Sequence, residues 1–156
     1  MTSSRTLHEI NLDIRYGARY GLRMRRLFSV IKNTITFLEL LGGSAAFGAW
    51  LANRPALAGA MGLVLAVVAA LNQTIQPAEN RAMCSELHRR YTELDRLAPT
   101  LDVAALEDRL RDLRETDAPE IEALRTVAFN DNLRENGYDS GFADETRWGR
   151  FVAFFA

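Results

Sequence analysis

The sequence predicts an all-α membrane protein with an N-terminal helix, a transmembrane helical hairpin and a small cytoplasmic helical domain. Two apolar segments, 33–52 and 55–71, are separated only by Asn53 and Arg54, and residues 56–71 contain no polar side chain. About 20 helical residues cross a bilayer core, a length that the second segment reaches if it continues through residue 75. A soluble protein with this hairpin at its centre is the alternative. The other predicted helices have too little apolar surface to cover it.

The predicted boundaries are 1–32 for a basic amphipathic helix, 33–75 for the hairpin and 76–156 for the cytoplasmic domain. Even positions from Ile10 to Met24 are apolar or alanine, a pattern typical of a strand. The same region also fits a helical stripe. No second segment alternates well enough to pair with a strand, so we predict a helix that runs into the first span. Gly17 and Gly21 are each expected to weaken it by about 1 kcal/mol.

Three helices are predicted after the hairpin, where Pro77 marks a break or kink. The first covers 78–98 and the second covers 103–115. Their apolar faces are formed by Cys84, Leu87, Tyr91, Leu94 and Ala98 in the first helix and by Val103, Leu106, Leu110 and Leu113 in the second. The third helix is expected to start at Asp117 as cap, with Pro119 and Glu120 in its first turn. It is expected to end near Asn136, before Gly137.

The C-terminal segment 147–156 places aromatic side chains at helical spacing beside Arg147 and Arg150. Packing onto the helical domain explains such a segment, and so does a position in the membrane interface. The sequence leaves both interpretations open.

Basic residues predict the orientation of the hairpin. Seven precede the first span and three closely follow the second, whereas the turn contains only Arg54, so both termini are expected in the cytoplasm. The cluster nearest the membrane is predicted to contact lipid headgroups: Arg19, Arg23, Arg25, Arg26 and Lys32. Nucleic-acid binding is disfavoured, because the net charge is −1.

Glu39 is the ionisable residue inside the first span, and a carboxylate in hydrocarbon costs several kcal/mol unless it is paired, protonated or hydrated. One interpretation is structural, with Glu39 bonded to Asn72 or Gln73 or reaching the interface. The other is that Glu39 from several subunits lines an aqueous path, with Asn72 and Gln73 as further polar residues.

Small residues at intervals of four predict close helix packing in the membrane. They are Ser44, Gly48 and Ala52 on the first span and Ala58, Gly62, Ala66 and Ala70 on the second. A further face of the first span, formed by Gly42, Ala45, Ala46 and Ala49, is predicted to contact other subunits. The expected partners are therefore the lipid bilayer and further copies of the chain.

An enzyme is not expected, and the sequence predicts no cofactor and no metal site. His8 and His88 have no partner at metal-ligand spacing, and phosphate loops, serine elbows and paired carboxylates are absent from the sequence. Cys84, the single cysteine, lies on an apolar seam and is expected to be a core residue in a reducing compartment.

The order of segments resembles a known family. A Tyr- and Arg-bearing helix (RYGARYGLRMRRLFSVIKN) leads into two spans with a short turn, and a Pro-Ala-Glu break and a helix with Tyr and Leu follow (NQTIQPAENRAMCSELHRRYTELDRL). Residues 10–98 look like the SLATT superfamily of two-transmembrane effector domains from bacterial nucleotide-signalling systems. The resemblance implies a pore-forming or membrane-disrupting effector of anti-phage defence in the bacterial inner membrane. It also implies a regulatory protein or a nucleotide signal as trigger.

We therefore expect a homo-oligomeric inner-membrane effector whose cytoplasmic helices control assembly or opening. The alternative is a small membrane-anchored adaptor or assembly subunit, of prophage origin, that scaffolds a partner and conducts nothing. Leakage of ions or dyes on overexpression distinguishes the two.

Overall fold

The regular elements of the described chain are helical. The structure is a computed structural model that describes residues 5–44, 48, 55–116 and 119–156. Its α-helices are α1 (Leu7–Gly43), α2 (Pro55–Ile75), α3 (Pro77–Leu97), α4 (Val103–Arg114), α5 (Glu122–Glu135) and α6 (Arg147–Phe155), with a 3₁₀ turn at Ala98–Thr100. The all-α prediction is confirmed within these residues, and the region for which a strand was considered is helical.

The chain divides into two compact units. The helical unit comprises Met1–Leu27 and Arg81–Ala156, and the apolar unit comprises Phe28–Asn80. Helices α1 and α3 each contribute residues to both units.

The core of the helical unit forms where α1, α3 and α4 meet, as the helical periodicity of each segment predicts. Its buried members are Ile10, Ile14, Tyr91, Leu94, Ala98, Leu106 and Leu110, with Leu87 and Leu113 packed against them. The seam predicted on α3 is therefore buried, and Cys84 is buried on the same helix. On α4, Val103 at the predicted face stays exposed.

Close approach of α1 and α3 depends on two glycines. A Cβ atom at Gly17 would lie 2.5 Å from the ring of Tyr91, and one at Gly21 would lie 3.2 Å from the backbone nitrogen of His88. These glycines were expected only to weaken α1. Because they have no side chain, they also leave room for α3 to approach.

The predicted start of α5 is wrong. The helix begins at Glu122 with Ile121 as its cap, so Pro119 and Glu120 precede it, and Asp117 lies outside the described residues. The phenol of Tyr20 on α1 accepts a hydrogen bond from the Ile121 N–H at 2.7 Å. A contact from another helix therefore holds the backbone just before α5, where a local capping box was expected. The predicted stop is confirmed, because Gly137 adopts a φ of 78° after α5.

Candidate functional site

The apolar unit exposes large apolar side chains from both of its helices. On residues 28–43 of α1 they are Val30, Phe37, Leu38, Leu40 and Leu41, and on α2 they are Leu63, Val64, Val67 and Leu71. Soluble monomers rarely expose apolar patches larger than a few hundred Å². Within the described part of the chain, one helical stretch is long and apolar enough to cross a membrane. It starts at Gly59 inside α2, and almost none of its apolar part is buried.

That finding supports one candidate span and does not confirm the predicted pair. Residues 45–47 and 49–54 of the first apolar segment and of the turn lie outside the described residues. The predicted break after the second segment is confirmed at Gln76, where φ is 46°, and α3 starts with the buried Pro77. Asn80 Nδ2 donates to the Ile75 carbonyl at 2.7 Å and thereby satisfies one acceptor at the end of α2.

Contacts within the apolar unit show that α1 and α2 run antiparallel. Glu39 lies beside Asn72, whereas Gly42, later on α1, faces Leu65, earlier on α2. Gly42 has no room for a Cβ atom against the Leu65 side chain, so this glycine serves contact within the chain. The assignment of its face to contacts between subunits is wrong at Gly42, and Ala45, Ala46 and Ala49 lie outside the described residues.

The predicted small-residue face of α2 points away from α1. Gly62, Ala66 and Ala70 are exposed, and a Cβ atom at Gly62 would meet no atom of the described residues within 4 Å. Gly48 is equally open, Ser44 Oγ donates to the Leu41 carbonyl at 3.2 Å, and the side chain of Ala58 is not described. The open face of α2 is thus available to another helix.

The polar site of the apolar unit consists of Glu39 and Asn72. Asn72 Nδ2 donates to Glu39 Oε1 at 3.2 Å, which is the structural contact that the sequence offered as one interpretation. Glu39 is nevertheless exposed, as is the neighbouring Gln73. The amide satisfies one lone pair of a carboxylate that offers about four. The remaining acceptor capacity faces outward from an apolar surface.

The predicted headgroup arginines do not share one environment. Arg23 Nε donates to Asp131 Oδ2 at 2.8 Å, and Arg19 pairs with Glu135 and donates to the Asp131 carbonyl, so both arginines bind α5. Arg26 is exposed, and Arg25 and Lys32 are half-buried. Contact of this cluster with lipid stays a prediction. The contacts of Arg19 and Arg23 were not predicted, because the sequence alone does not show that α5 packs beside α1.

The helical unit contains a cleft of about 390 Å³ lined by Tyr16, Tyr20, Tyr91, Arg114 and Arg125. Burial raises the pKa of Tyr20 to about 12 and raises the pKa values of Tyr16 and Tyr91. Both arginines already contact carboxylates: Arg114 lies 2.7 Å from Asp13, and Arg125 lies 3.0 Å from Glu122. The cleft therefore brings together paired charges and phenols that are neutral at pH 7.

The remaining chemical candidates occupy structural positions. His88 Nδ1 lies 2.7 Å from the Ala18 carbonyl, and His8 Nε2 lies 2.9 Å from the Tyr138 hydroxyl. Burial raises the pKa of Cys84 to about 11, so its thiol is protonated at neutral pH. Among the described residues, no group of three His, Cys, Asp or Glu side chains is placed to hold a metal ion.

Comparison with known proteins gives no match to a family model, to a curated protein or to a solved structure. Because the comparisons supply no function, a functional proposal has to come from the structure. It depends here on the Glu39–Asn72 pair on the exposed apolar surface.

Proposed function

We propose that the chain is a two-span, homo-oligomeric protein of the bacterial inner membrane whose assembled hairpins form a cation-conducting path. The distribution of basic residues supports a cytoplasmic location for both termini. The exposed apolar side chains of α1 and α2 supply the surface that contacts lipid and neighbouring copies.

The observation that carries the proposal is the exposed carboxylate of Glu39 on this apolar surface. Among the described residues its one hydrogen bond comes from Asn72 and leaves acceptor capacity that hydrocarbon cannot satisfy. An ionised side chain within a bilayer is stable where it faces other polar groups or a water-filled cavity. Several copies of the hairpin around one axis supply such a cavity, and a ring of carboxylates in it favours cations.

The open face of α2 supports assembly. Gly62 and Ala66 leave room for a second helix to approach closely, and close approach is what drives helix association in lipid. Self-association is therefore proposed through α2, whereas Gly42 is occupied by Leu65.

The biological role is a further step of the same proposal. Resemblance of residues 10–98 to the SLATT superfamily supports an effector of anti-phage defence, in which opening of the path harms the host cell. A regulatory protein or a nucleotide signal would release this activity, and the cytoplasmic helices would control it.

The test replaces Glu39 with Gln in the full chain, reconstituted into liposomes that contain a potassium-sensitive dye. Glu39→Gln keeps the shape and the bond to Asn72 and removes the charge, so we expect insertion to persist and the preference for potassium over chloride to fall. Glu79→Gln, which removes a carboxylate from the first turn of α3, is the matched control and should keep wild-type selectivity.

Equal conductance and selectivity for wild type and Glu39→Gln would refute the pore-lining role. Absence of leakage from the wild-type protein, correctly inserted, would favour the membrane-anchored adaptor instead.

A further inference from the structure

Helix α6 presents a continuous row of exposed aromatic rings. Trp148 is 64% exposed, Phe151 57% and Phe154 84%, and Phe155 is also exposed. The rings contact one another: Trp148 stacks on Phe151 with centroids 5.5 Å apart, and Phe151 meets Phe155 edge-on at 5.3 Å. The contacts that the helix makes within its own unit leave this surface uncovered.

The opposite face of α6 is the one that packs against the protein. Gly149 and Val152 are buried, and a Cβ atom at Gly149 would lie 3.2 Å from the Ala123 carbonyl of α5. Thr146 caps the helix by accepting a hydrogen bond from the Gly149 N–H at 2.9 Å. The helix is therefore held in one rotational setting, and the aromatic row faces outward because of it.

Asn130 on α5 fixes the segment that leads into α6. This side chain is 2% exposed, its Nδ2 donates to the Ala143 carbonyl at 2.9 Å and to Glu145 Oε1 at 3.0 Å, and its Oδ1 accepts from the Ala143 N–H at 2.9 Å. A buried amide with three hydrogen bonds specifies position. The exposed row belongs to an ordered surface of the helical unit.

The charges on α6 have one sign. Arg147 and Arg150 are exposed, and the helix contains no acidic residue. Asp144 and Glu145 precede it, and Glu145 is bonded to Asn130. An apolar aromatic face flanked by arginines is the composition of a helix that lies in the headgroup region of a bilayer.

Contact between two copies through this face fits the charges less well. In a two-fold symmetric interface the same surface meets itself, so the arginines of one copy would approach those of the other. Anionic phospholipid offers phosphates to the arginines and acyl chains to the rings.

We propose that α6 is an interfacial membrane anchor, with Trp148, Phe151 and Phe154 inserted at the level of the upper acyl chains and Arg147 and Arg150 on lipid phosphates. The proposal rests on the proposed membrane location of the chain. It adds a second, peripheral membrane contact to the spanning hairpin, made by the helical unit itself.

The two tryptophans, Trp50 and Trp148, separate this proposal from the proposed function. Trp50→Phe leaves Trp148 as the sole tryptophan of the full chain, which is reconstituted into vesicles of phosphatidylcholine and phosphatidylglycerol. We expect lipids brominated near the top of the acyl chain to quench most of the Trp148 emission and aqueous iodide to quench little. Phe154→Asp on an exposed ring and Arg147→Glu with Arg150→Glu should each restore quenching by iodide.

Quenching of Trp148 by iodide and not by brominated lipid would overturn the proposal. Protection from both quenchers would also overturn it, because a protein surface would then cover the row. The matched Trp148→Phe protein reports the hairpin through Trp50. If lipid quenches Trp50 and not Trp148, the anchor fails and the hairpin stands, whereas quenching of Trp50 by iodide alone together with quenching of Trp148 by lipid refutes the hairpin and supports the anchor.

Discussion

The helical unit and the apolar unit differ in the exposure of their leucines and in the partners of their charged side chains. In the helical unit Leu106 is 0% exposed, and Arg19 and Arg23 bind acidic residues of α5. In the apolar unit Leu63 is 69% exposed, and the carboxylate of Glu39 faces outward with an amide as its partner. The buried leucine and the paired arginines of the helical unit thus contrast with the exposed leucine and the outward-facing carboxylate of the apolar unit. The proposed membrane location of the apolar unit accounts for this difference.

The largest expected effect comes from making the same substitution in each unit. Leu106→Ala removes a fully buried side chain and should lower the free energy of unfolding by about 2–5 kcal/mol. Leu63→Ala removes an exposed one and should change it by less than about 0.5 kcal/mol. Urea unfolding in detergent micelles, followed by circular dichroism, measures both. Equal losses would show that Leu63 belongs to a protein core.

A pair of glycine variants sharpens the comparison within the apolar unit. Gly42→Leu collides with Leu65 and should destabilise the hairpin by about 1–3 kcal/mol. Gly62→Leu meets no neighbour among the described residues, so it should leave stability nearly unchanged while reducing the oligomer mass. Light scattering in detergent gives the mass, and thermal unfolding gives the stability. An oligomer that is intact in Gly62→Leu would refute assembly through this face.

The smallest effect concerns the helical unit and alkaline pH. The pKa of Tyr20 is about 12 in the folded chain against an ordinary value of 10, so folding favours the neutral phenol. That contribution is fully present below about pH 10 and is lost as pH rises towards about 12. Tyr20→Phe should cost about 1 kcal/mol at neutral pH, through the lost bond to Ile121, and should reduce the alkaline loss. Urea midpoints across this pH range test both effects, and identical alkaline losses in the two proteins would contradict the assignment.

Local patterns predicted the elements that depend on local physics. The seam through Tyr91 and Leu94, the break at Pro77 and the stop at Gly137 each follow from spacing or from one residue's backbone preference. The choice of helix over strand for the N-terminal region was right because a strand there would have lacked a partner to pair with.

The features that sequence reasoning missed depend on contacts between distant segments. The start of α5 is held by Tyr20, which lies 101 positions earlier than Ile121, so a local capping rule could not find it. Gly17 appeared only as a weak helix former because the approach of Tyr91 was not visible. For Glu39, the amide partner was among the options considered, and the outward exposure of the carboxylate required coordinates.

The buried cysteine has a practical consequence for spectroscopy on this chain. Cys84 is the single cysteine in the sequence and is 1% exposed, and burial raises the pKa of its thiol to about 11, so the thiol is protonated at pH 7. Maleimide and spin-label reagents, which attack the thiolate, should therefore react with an added surface cysteine long before they reach the native one. Paired fluorophores or spin labels can then report distances between the two units in a lipid bilayer with the native Cys84 left in place.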